Sequence, residues 1–126
     1  STTDYNGVYK GYYIDFDAKE PKRKTAFPLD NFHDNQIRHM KACIASKGIC
    51  FTIIKFVEID QIFLLSATDL FYFWDRQKNG GRKSIPLSYI KENGYLINYQ
   101  LNPLIPYLNA VDKLLIKKHE GEQHAN

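Results

Sequence analysis

The chain alternates apolar and polar side chains along Tyr12-Tyr13-Ile14-Asp15-Phe16-Asp17-Ala18-Lys19. Successive side chains of an extended strand point to opposite faces, so the alternation predicts a strand whose odd-numbered residues share one face. The even-numbered residues form a second, apolar face that suits a hydrophobic core. Asp17 and Lys19 are therefore expected on the same side of a rigid element.

The Asp17–Lys19 pair has the chemistry of a metal-dependent phosphodiesterase site. A hard cation such as Mg2+ is bound by oxygen ligands, and a neighbouring lysine can orient or deprotonate the water that attacks phosphorus. The same spacing is also typical of a solvated strand face with cross-strand charge pairs, and spacing alone favours that structural interpretation.

Two flanking segments favour the catalytic interpretation. Upstream, Asp4 is followed by two turn signals, Asn6-Gly7 and Lys10-Gly11, and a hairpin in this region would bring Asp4 back towards Asp17. Downstream lies the basic run Lys22-Arg23-Lys24. A metal-binding acidic cluster beside a basic rim suits a polyanionic substrate.

Composition places the chain among single globular intracellular domains. It has 126 residues, 44% hydrophobic and 25% charged, with a net charge of +3; the mildly basic balance permits nucleic-acid binding without demanding it. Cys43 and Cys50 lack metal-ligand spacing and are expected to be reduced and packed in the cytosol. No apolar run approaches the roughly 18 residues of a membrane span. We expect a cytoplasmic protein with no membrane segment.

The remaining periodicities predict alternating strands and helices. Asp30 or Asn31 could cap a helix that runs to about Ser46, and the segment from about 119 to 126 is polar. Between them the patterns predict strands at 49–57, 61–65 and 95–99, and helices at 67–78, 86–93 and 104–116. The order predicts an α/β (α+β) fold, in which helices flank a central mixed sheet.

Several longer segments resemble the RecU-type Holliday junction resolvases of low-GC Gram-positive bacteria, members of the restriction-endonuclease-like PD-(D/E)xK superfamily. The likeness runs from Thr2 to Glu20 and from Lys24 to Gln36, and continues through Gly48–Phe51, Leu70–Trp74 and Arg82–Ile85. The run Phe-Pro-Leu-x-Asn-Phe-His-Asp-x-Gln at residues 27–36 is more specific than the nuclease motif itself. The resemblance therefore covers nearly the whole chain and implies a restriction-endonuclease-like core.

The resemblance also implies roles for individual residues. Asp4 and Asp17 correspond to the metal-binding acids, with the Ala18 carbonyl as a further ligand, and Lys19 corresponds to the catalytic lysine. Gln36 corresponds to a glutamine close to that site; without the resemblance, a helix-surface amide would be the better interpretation. The implied cofactor is Mg2+, with Mn2+ able to replace it.

The implied activity is symmetric nicking of four-way DNA junctions in recombination and repair. Because a junction has near two-fold symmetry and needs two matched nicks, a homodimer is expected, and recombination proteins are candidate partners. The residues expected to contact DNA are Thr3, Lys22, Arg23, Lys24, Arg82 and Lys83.

Two departures keep alternatives open. Family members usually carry Glu where Asp17 stands, which shortens the reach of the carboxylate. Such enzymes also have an amino-terminal helix, a first strand and a stalk before the first motif acid, so we expect residues 1–118 to be a nuclease core lacking these parts, with 119–126 as a disordered tail. The alternatives are a related nuclease that cuts duplexes and a catalytically incomplete module that binds DNA structures.

Three further features have an ordinary interpretation beside a functional one. The aromatic run Phe71–Trp74 is expected to pack in the core, with a dimer interface as the other candidate. His33 and His39 are not at i, i+4 spacing, so a zinc pair is not expected. His33 is expected to contact phosphate or to cap a helix locally.

Overall fold

A computed structural model of the chain describes residues 5–98 and 104–124. Thr3 and Asp4 of the predicted site lie outside the described residues. In chain order the elements are β1 (Tyr5–Tyr9), β2 (Tyr12–Lys19), β3 (Ala26–Pro28), a 3-10 turn (Leu29–Asn31), α1 (Asp34–Ala45), β4 (Ile49–Phe56), a second 3-10 turn (Val57–Ile59), β5 (Gln61–Ser66), α2 (Ala67–Lys78), β6 (Ser84–Pro86), α3 (Leu87–Asn93), β7 (Tyr95–Ile97) and α4 (Leu104–His124).

The described strands form a mixed central sheet and a small separate ribbon. The sheet has five strands in the order β1-β2-β4-β5-β7. β2 and β4 are parallel, whereas the β1–β2, β4–β5 and β5–β7 pairs are antiparallel. The ribbon pairs β3 with β6. The predicted α+β architecture is confirmed, and it is consistent with a restriction-endonuclease-like core.

The first hairpin turns at Lys10-Gly11. Both residues have positive φ, 51° and 85°, which is the backbone of a tight two-residue hairpin turn and explains the glycine. The register pairs Tyr9 with Tyr12 and Tyr5 with Phe16. The turn predicted at Asn6-Gly7 is wrong, because both residues lie within β1 and pair with β2.

Each face of the central sheet packs against different helices. One core cluster joins α1, α2 and α3 to the sheet and the ribbon through buried residues such as Met40, Ile54, Leu70 and Ile90. The opposite cluster is covered by α4, whose Val111 and Leu115 are buried, together with sheet residues that include Ile14, Phe51 and Leu64. β2 therefore sits between the two cores.

Several core predictions are confirmed. Phe73 and Trp74 are buried, although Tyr72 on the same helix is 52% exposed. Cys43 and Cys50 are free thiols in the core. Burial raises the pKa of both thiols. No helix within residues 5–98 and 104–124 is long and apolar enough to cross a membrane.

Two helix boundaries differ from the sequence prediction. α1 begins at Asp34 rather than after Asp30 or Asn31, because those residues lie in the 3-10 turn and Phe32 is extended, at φ −118° and ψ 151°. α4 continues to His124 instead of ending near Ile116. Its last turns are rich in Lys, Glu and Gln, which favour helix without needing burial. Of the segment predicted as a disordered tail, residues 119–124 are helical.

Candidate active site

The polar face of β2 is buried. Asp15 and Asp17 both have no accessible surface, and they lie between β2 and α1. The register places Asp17 beside Thr52 of the parallel neighbour β4. The alternative interpretation of this face as a solvated array of charges is therefore wrong. Carboxylates buried to this extent need compensating partners, since desolvation of a charge is costly.

Asp17 contacts two of the side chains predicted to work with it. The Gln36 amide nitrogen lies 3.5 Å from Asp17 Oδ2, and the Lys19 ammonium lies 3.7 Å from the same oxygen. The structure thus brings together Asp17, Lys19 and Gln36 from a strand and the following helix.

Lys19 is partly sheltered at the end of β2. Its side chain is 20% exposed, and its ammonium lies 5.0 Å from the centre of the Phe32 ring. A cation over an aromatic face is attracted by the ring quadrupole, so Phe32 limits where the ammonium can go. Lys19 keeps access to solvent while it stays next to Asp17.

The segment Phe27–Gln36 holds Phe32 and Gln36 next to Lys19 and Asp17. Phe27, Leu29 and Phe32 are buried, and the Asn31 side-chain amide donates to the Pro28 carbonyl at 2.8 Å. These contacts fix the turn that leads into α1. The motif at residues 27–36 therefore has a structural role, because it sets the position of the first residues of α1.

Gln36 has two partners at the start of α1. Its side-chain oxygen accepts a hydrogen bond from the His33 backbone N–H at 2.9 Å, and His33 forms the other half of a capping box. The amide nitrogen is left to face Asp17. His33 therefore caps locally, one of the two roles expected of it, and the cap orients Gln36 towards the carboxylate.

A second polar group, which the sequence analysis missed, surrounds Asp15. Its Oδ2 lies 2.5 Å from His39 Nε2 and accepts a hydrogen bond from the Tyr13 hydroxyl at 3.1 Å. Burial and this hydrogen bond raise the pKa of Tyr13. One signal was available: His39 follows Gln36 by three residues, so both lie on one face of α1.

The basic residues predicted to contact DNA differ in their surroundings. Lys24 pairs with Glu58 at 3.0 Å on the surface, and the Arg82 guanidinium donates to the Ser84 hydroxyl at 3.2 Å. Arg23 and Lys83, from separate segments, line one cavity. Lys22 and Lys24 line a neighbouring cavity that also includes Arg23.

The donor atoms near Asp17 suit a hard cation. The Thr52 hydroxyl donates to the Asp17 carbonyl at 3.3 Å, so that carbonyl points towards β4. Carbonyls of successive strand residues point in opposite directions, so the Ala18 carbonyl is directed to the β1 side. Carboxylate and carbonyl oxygens are the ligands that Mg2+ prefers.

Asp4, the other predicted ligand, is not among the described residues. Within residues 5–98 and 104–124, no group of three or more His, Cys, Asp or Glu side chains could hold a metal ion. That finding does not test the predicted metal-binding pair of Asp4 and Asp17, because Asp4 lies outside this range.

Comparisons with known proteins identify the family of the chain. The sequence model of the family Recombination protein U matches residues 1–113. The chain is 67% identical over 115 residues to the Holliday junction resolvase RecU of Pediococcus pentosaceus, covering 91% of this chain and 57% of the relative. It is 63% identical over 118 residues to that of Limosilactobacillus reuteri (94% and 58%), and 59% identical over 115 residues to that of Lactiplantibacillus plantarum (91% and 56%).

The chain spans a little over half the length of these relatives. The family match nevertheless includes every described residue of the site around Asp17. The chain belongs to the Recombination protein U family.

Proposed function

We propose that this chain carries the nuclease site of a Holliday junction resolvase, a metal-dependent endonuclease that nicks four-way DNA junctions symmetrically. The observation that carries the proposal is the convergence of Lys19 and Gln36 on the buried Asp17 carboxylate. Family membership and the printed name of the relatives support it. The site is assigned to recombination and repair on the same grounds, and a cytoplasmic location follows from a chromosomal substrate.

Asp17 is the proposed centre of the site. Together with Asp4 and the Ala18 carbonyl it would hold Mg2+, for which Mn2+ could substitute. Tyr5, the neighbour of Asp4 in sequence, pairs with Phe16, the neighbour of Asp17, which supports a joint role for the two acids. When bound, the cation would stabilise negative charge on the scissile phosphate and on the leaving oxygen.

Lys19 and Gln36 act on the attacking water in this proposal. The Lys19 ammonium donates hydrogen bonds only, so it would orient the water oxygen and stabilise charge that develops on it. Phe32 restricts the position of that ammonium. The capping box holds Gln36 so that its amide nitrogen faces Asp17, which would fix the carboxylate in one orientation during the reaction.

The proposed substrate explains the distribution of basic residues. Lys22, Arg23 and Lys24 directly follow the strand that carries Lys19, and Arg82 and Lys83 precede β6, which pairs with β3. Phosphate contacts from these residues, and from Thr3, would position DNA without reading its sequence. Recognition would then depend on junction shape. A homodimer would present two sites to the two strands cut, and recombination proteins are its expected partners.

The direct test is nicking of a labelled four-way junction and of a matched linear duplex in Mg2+. We expect paired symmetric nicks on the junction, and a loss of at least about a hundredfold in the Asp17→Asn variant. Asp75→Asn is the matched control, because Asp75 is an exposed acid whose partner is Lys41. The melting temperature of each variant checks that the fold is retained.

Other outcomes distinguish the alternative functions. Equal cutting of junction and duplex would indicate a general duplex nuclease. Tight binding of the junction with no cleavage at any concentration of Mg2+ or Mn2+ would indicate a DNA-structure-binding module instead. Unchanged cleavage by Asp17→Asn would show that the site lies elsewhere in the chain.

A further inference from the structure

Two basic segments that are distant in sequence meet at one cavity. It has a volume of about 480 Å3, and its lining includes Arg23, Asp30, Trp74, Gln77 and Lys83. Arg23 precedes β3 and Lys83 precedes β6. The β3–β6 ribbon, together with the hydrogen bond from the Leu29 N–H to the Lys83 carbonyl at 3.0 Å, connects the segments that carry them. The fold therefore places a guanidinium and an ammonium in one concave site.

Salt bridges distinguish these two cations from four other exposed lysines. Lys10, Lys24, Lys41 and Lys78 form ion pairs with carboxylates at 2.8 to 3.0 Å. Across the described part of the chain, no carboxylate forms a salt bridge with Arg23 or Lys83. Cations without a protein partner in a concave site are available to an external anion.

A second cavity of about 390 Å3 shares one lining residue with the first. Arg23 lines both, and the second also has Glu20, the residue after Lys19, in its lining. Residues 20–24 therefore link the end of β2 to the cavity that Lys83 lines. A DNA strand whose scissile phosphate lies at Asp17 would place its neighbouring nucleotides along this segment.

We propose that Arg23 and Lys83 form a second phosphate subsite, which binds one backbone phosphate of the DNA strand away from the scissile position. The inference rests on the proposed function and deepens it, because it names which basic residues act together. Arginine can bind a phosphate through two parallel hydrogen bonds, and lysine adds a point charge. Both cations would contact the same phosphate.

The other lining residues favour a nucleotide over a free anion. The Asp30 carboxylate lies in the same cavity and would repel a small anion that approached it. In a nucleotide the negative charge is confined to the phosphate, so the sugar and base could lie towards Asp30 and Gln77 while the phosphate stays at the cations. The volume falls within the usual range of small-ligand sites.

Trp74 makes the subsite observable. It is the only tryptophan in the sequence, and it lines the cavity. The experiment measures Trp74 emission while the protein is titrated, in EDTA, with a short oligothymidylate or with inorganic phosphate. Junction affinity is measured in parallel by anisotropy, also in EDTA, so the outcome does not depend on cleavage.

We expect the oligothymidylate to change the Trp74 emission, and phosphate at the same concentration to leave it unchanged. Arg23→Gln and Lys83→Gln should each weaken binding about tenfold, because each removes a charge-assisted hydrogen bond. In the double variant the affinity should fall by less than the product of the two single-variant factors, since both side chains bind one phosphate. In a plot of the logarithm of the binding constant for the single strand against the logarithm of salt concentration, the magnitude of the slope should fall by about 0.7, the value for one phosphate.

A charge-matched control is the variant Lys10→Gln with Lys41→Gln, whose lysines pair elsewhere with Asp112 and Asp75. If this control loses as much binding affinity as the Arg23–Lys83 double variant, the effect is due to net charge alone and the subsite proposal is wrong. If the losses in affinity from Arg23→Gln and Lys83→Gln multiply and the salt slope falls by twice the expected amount, the two cations do not bind the same phosphate. A change in Trp74 emission with inorganic phosphate would indicate a pocket for free anions. A junction that is bound through these residues but never cut would instead refute the proposed reaction.

Discussion

Asp15 and Asp17 occupy the same face of one strand, yet their surroundings differ. Both are fully buried. Asp15 has close partners, His39 at 2.5 Å and Tyr13 at 3.1 Å. For Asp17 Oδ2 the distances to two described residues are 3.5 Å to Gln36 and 3.7 Å to Lys19, beyond the usual 2.7–3.2 Å of a strong hydrogen bond to nitrogen.

α1 serves both carboxylates with side chains three residues apart. His39 faces Asp15 and Gln36 faces Asp17, so the helix and the strand run in opposite directions across this contact. The Asp15–His39 contact is short. The Asp17–Gln36 contact, nearer the end of β2, is longer and lies beside the partly exposed Lys19.

The two oxygens of Asp15 differ. His39 and Tyr13 both contact Oδ2, whereas the buried Oδ1 has no hydrogen-bond partner among the described residues. We infer that Asp15 holds α1 against β2 through Oδ2, because loss of these contacts would cost free energy. The proposed role of Asp17 in the chemistry rests on its contacts with Lys19 and Gln36.

The largest effect on stability is expected from Asp15→Ala. It leaves His39 and Tyr13 without their carboxylate and should lower the free energy of unfolding by about 2 kcal/mol, measured by urea denaturation. Asp17→Asn keeps the side-chain volume and should change stability by less than half as much. Cleavage by Asp15→Ala, measured per folded molecule, should stay within about threefold of the parent. A folded Asp15→Ala protein that no longer cuts would contradict the division of roles.

A smaller effect is expected at Gln36, where two variants separate the cap from the site. Gln36→Ala removes both contacts and should cost about 1 kcal/mol of stability through the lost cap. Gln36→Glu keeps an oxygen for the His33 N–H, as capping boxes allow, but it cannot donate to Asp17. Both variants should lose about tenfold in cleavage, since partners that orient a catalytic ligand have effects of that order.

The measurement combines urea denaturation with junction cleavage at saturating Mg2+. If Gln36→Glu keeps full cleavage, the amide contact with Asp17 has no role in the reaction. If both variants lose stability equally, the cap does not depend on the Gln36 oxygen.

The local parts of this fold were readable from the sequence. Strand alternation has a period of two, so the two faces of β2 followed from Tyr12 to Lys19 alone. The strand predicted at 49–57 and the helix predicted at 67–78 are equally local, and both are confirmed as β4 and α2. Lys19 beside Asp17 also follows from spacing, whereas the position of Gln36 was implied only by resemblance.

Contacts between distant segments were not readable in the same way. The Asp15–His39 pair depends on how α1 lies against β2, and no local pattern specifies that. Each strand of the β3–β6 ribbon has only three residues, too short for a periodic signal. A clue does exist, since Phe27-Pro28-Leu29 and Ile85-Pro86-Leu87 are similar and both lead into helical turns. The start of α1 was misjudged because Asp30 and Asn31 are better capping residues than His33.

The smallest effect concerns the thiols that pack near Asp15. Burial is the main cause that raises the pKa of Cys50, and the negative charges of Asp15 and Asp17 add to it. The folded thiol therefore keeps its proton at a pH where the unfolded thiol, with an ordinary pKa near 8.5, loses it. The unfolded state then binds fewer protons, so stability is fully present below about pH 8 and falls as pH rises beyond it. For Cys50 alone, the free energy of unfolding should fall by about 0.8 kcal/mol between pH 7.5 and pH 9.0.

Urea denaturation at pH 7.5 and pH 9.0 measures this loss, below the range in which tyrosines with an ordinary pKa titrate. In Cys50→Ala the difference in stability between the two pH values should shrink by that amount, whatever the variant does to stability at neutral pH. An identical pH dependence in the parent and the variant would mean that Cys50 ionises as easily in the folded protein as in the unfolded chain. In that case burial and the neighbouring carboxylates of Asp15 and Asp17 would not keep the Cys50 thiol protonated in the folded protein.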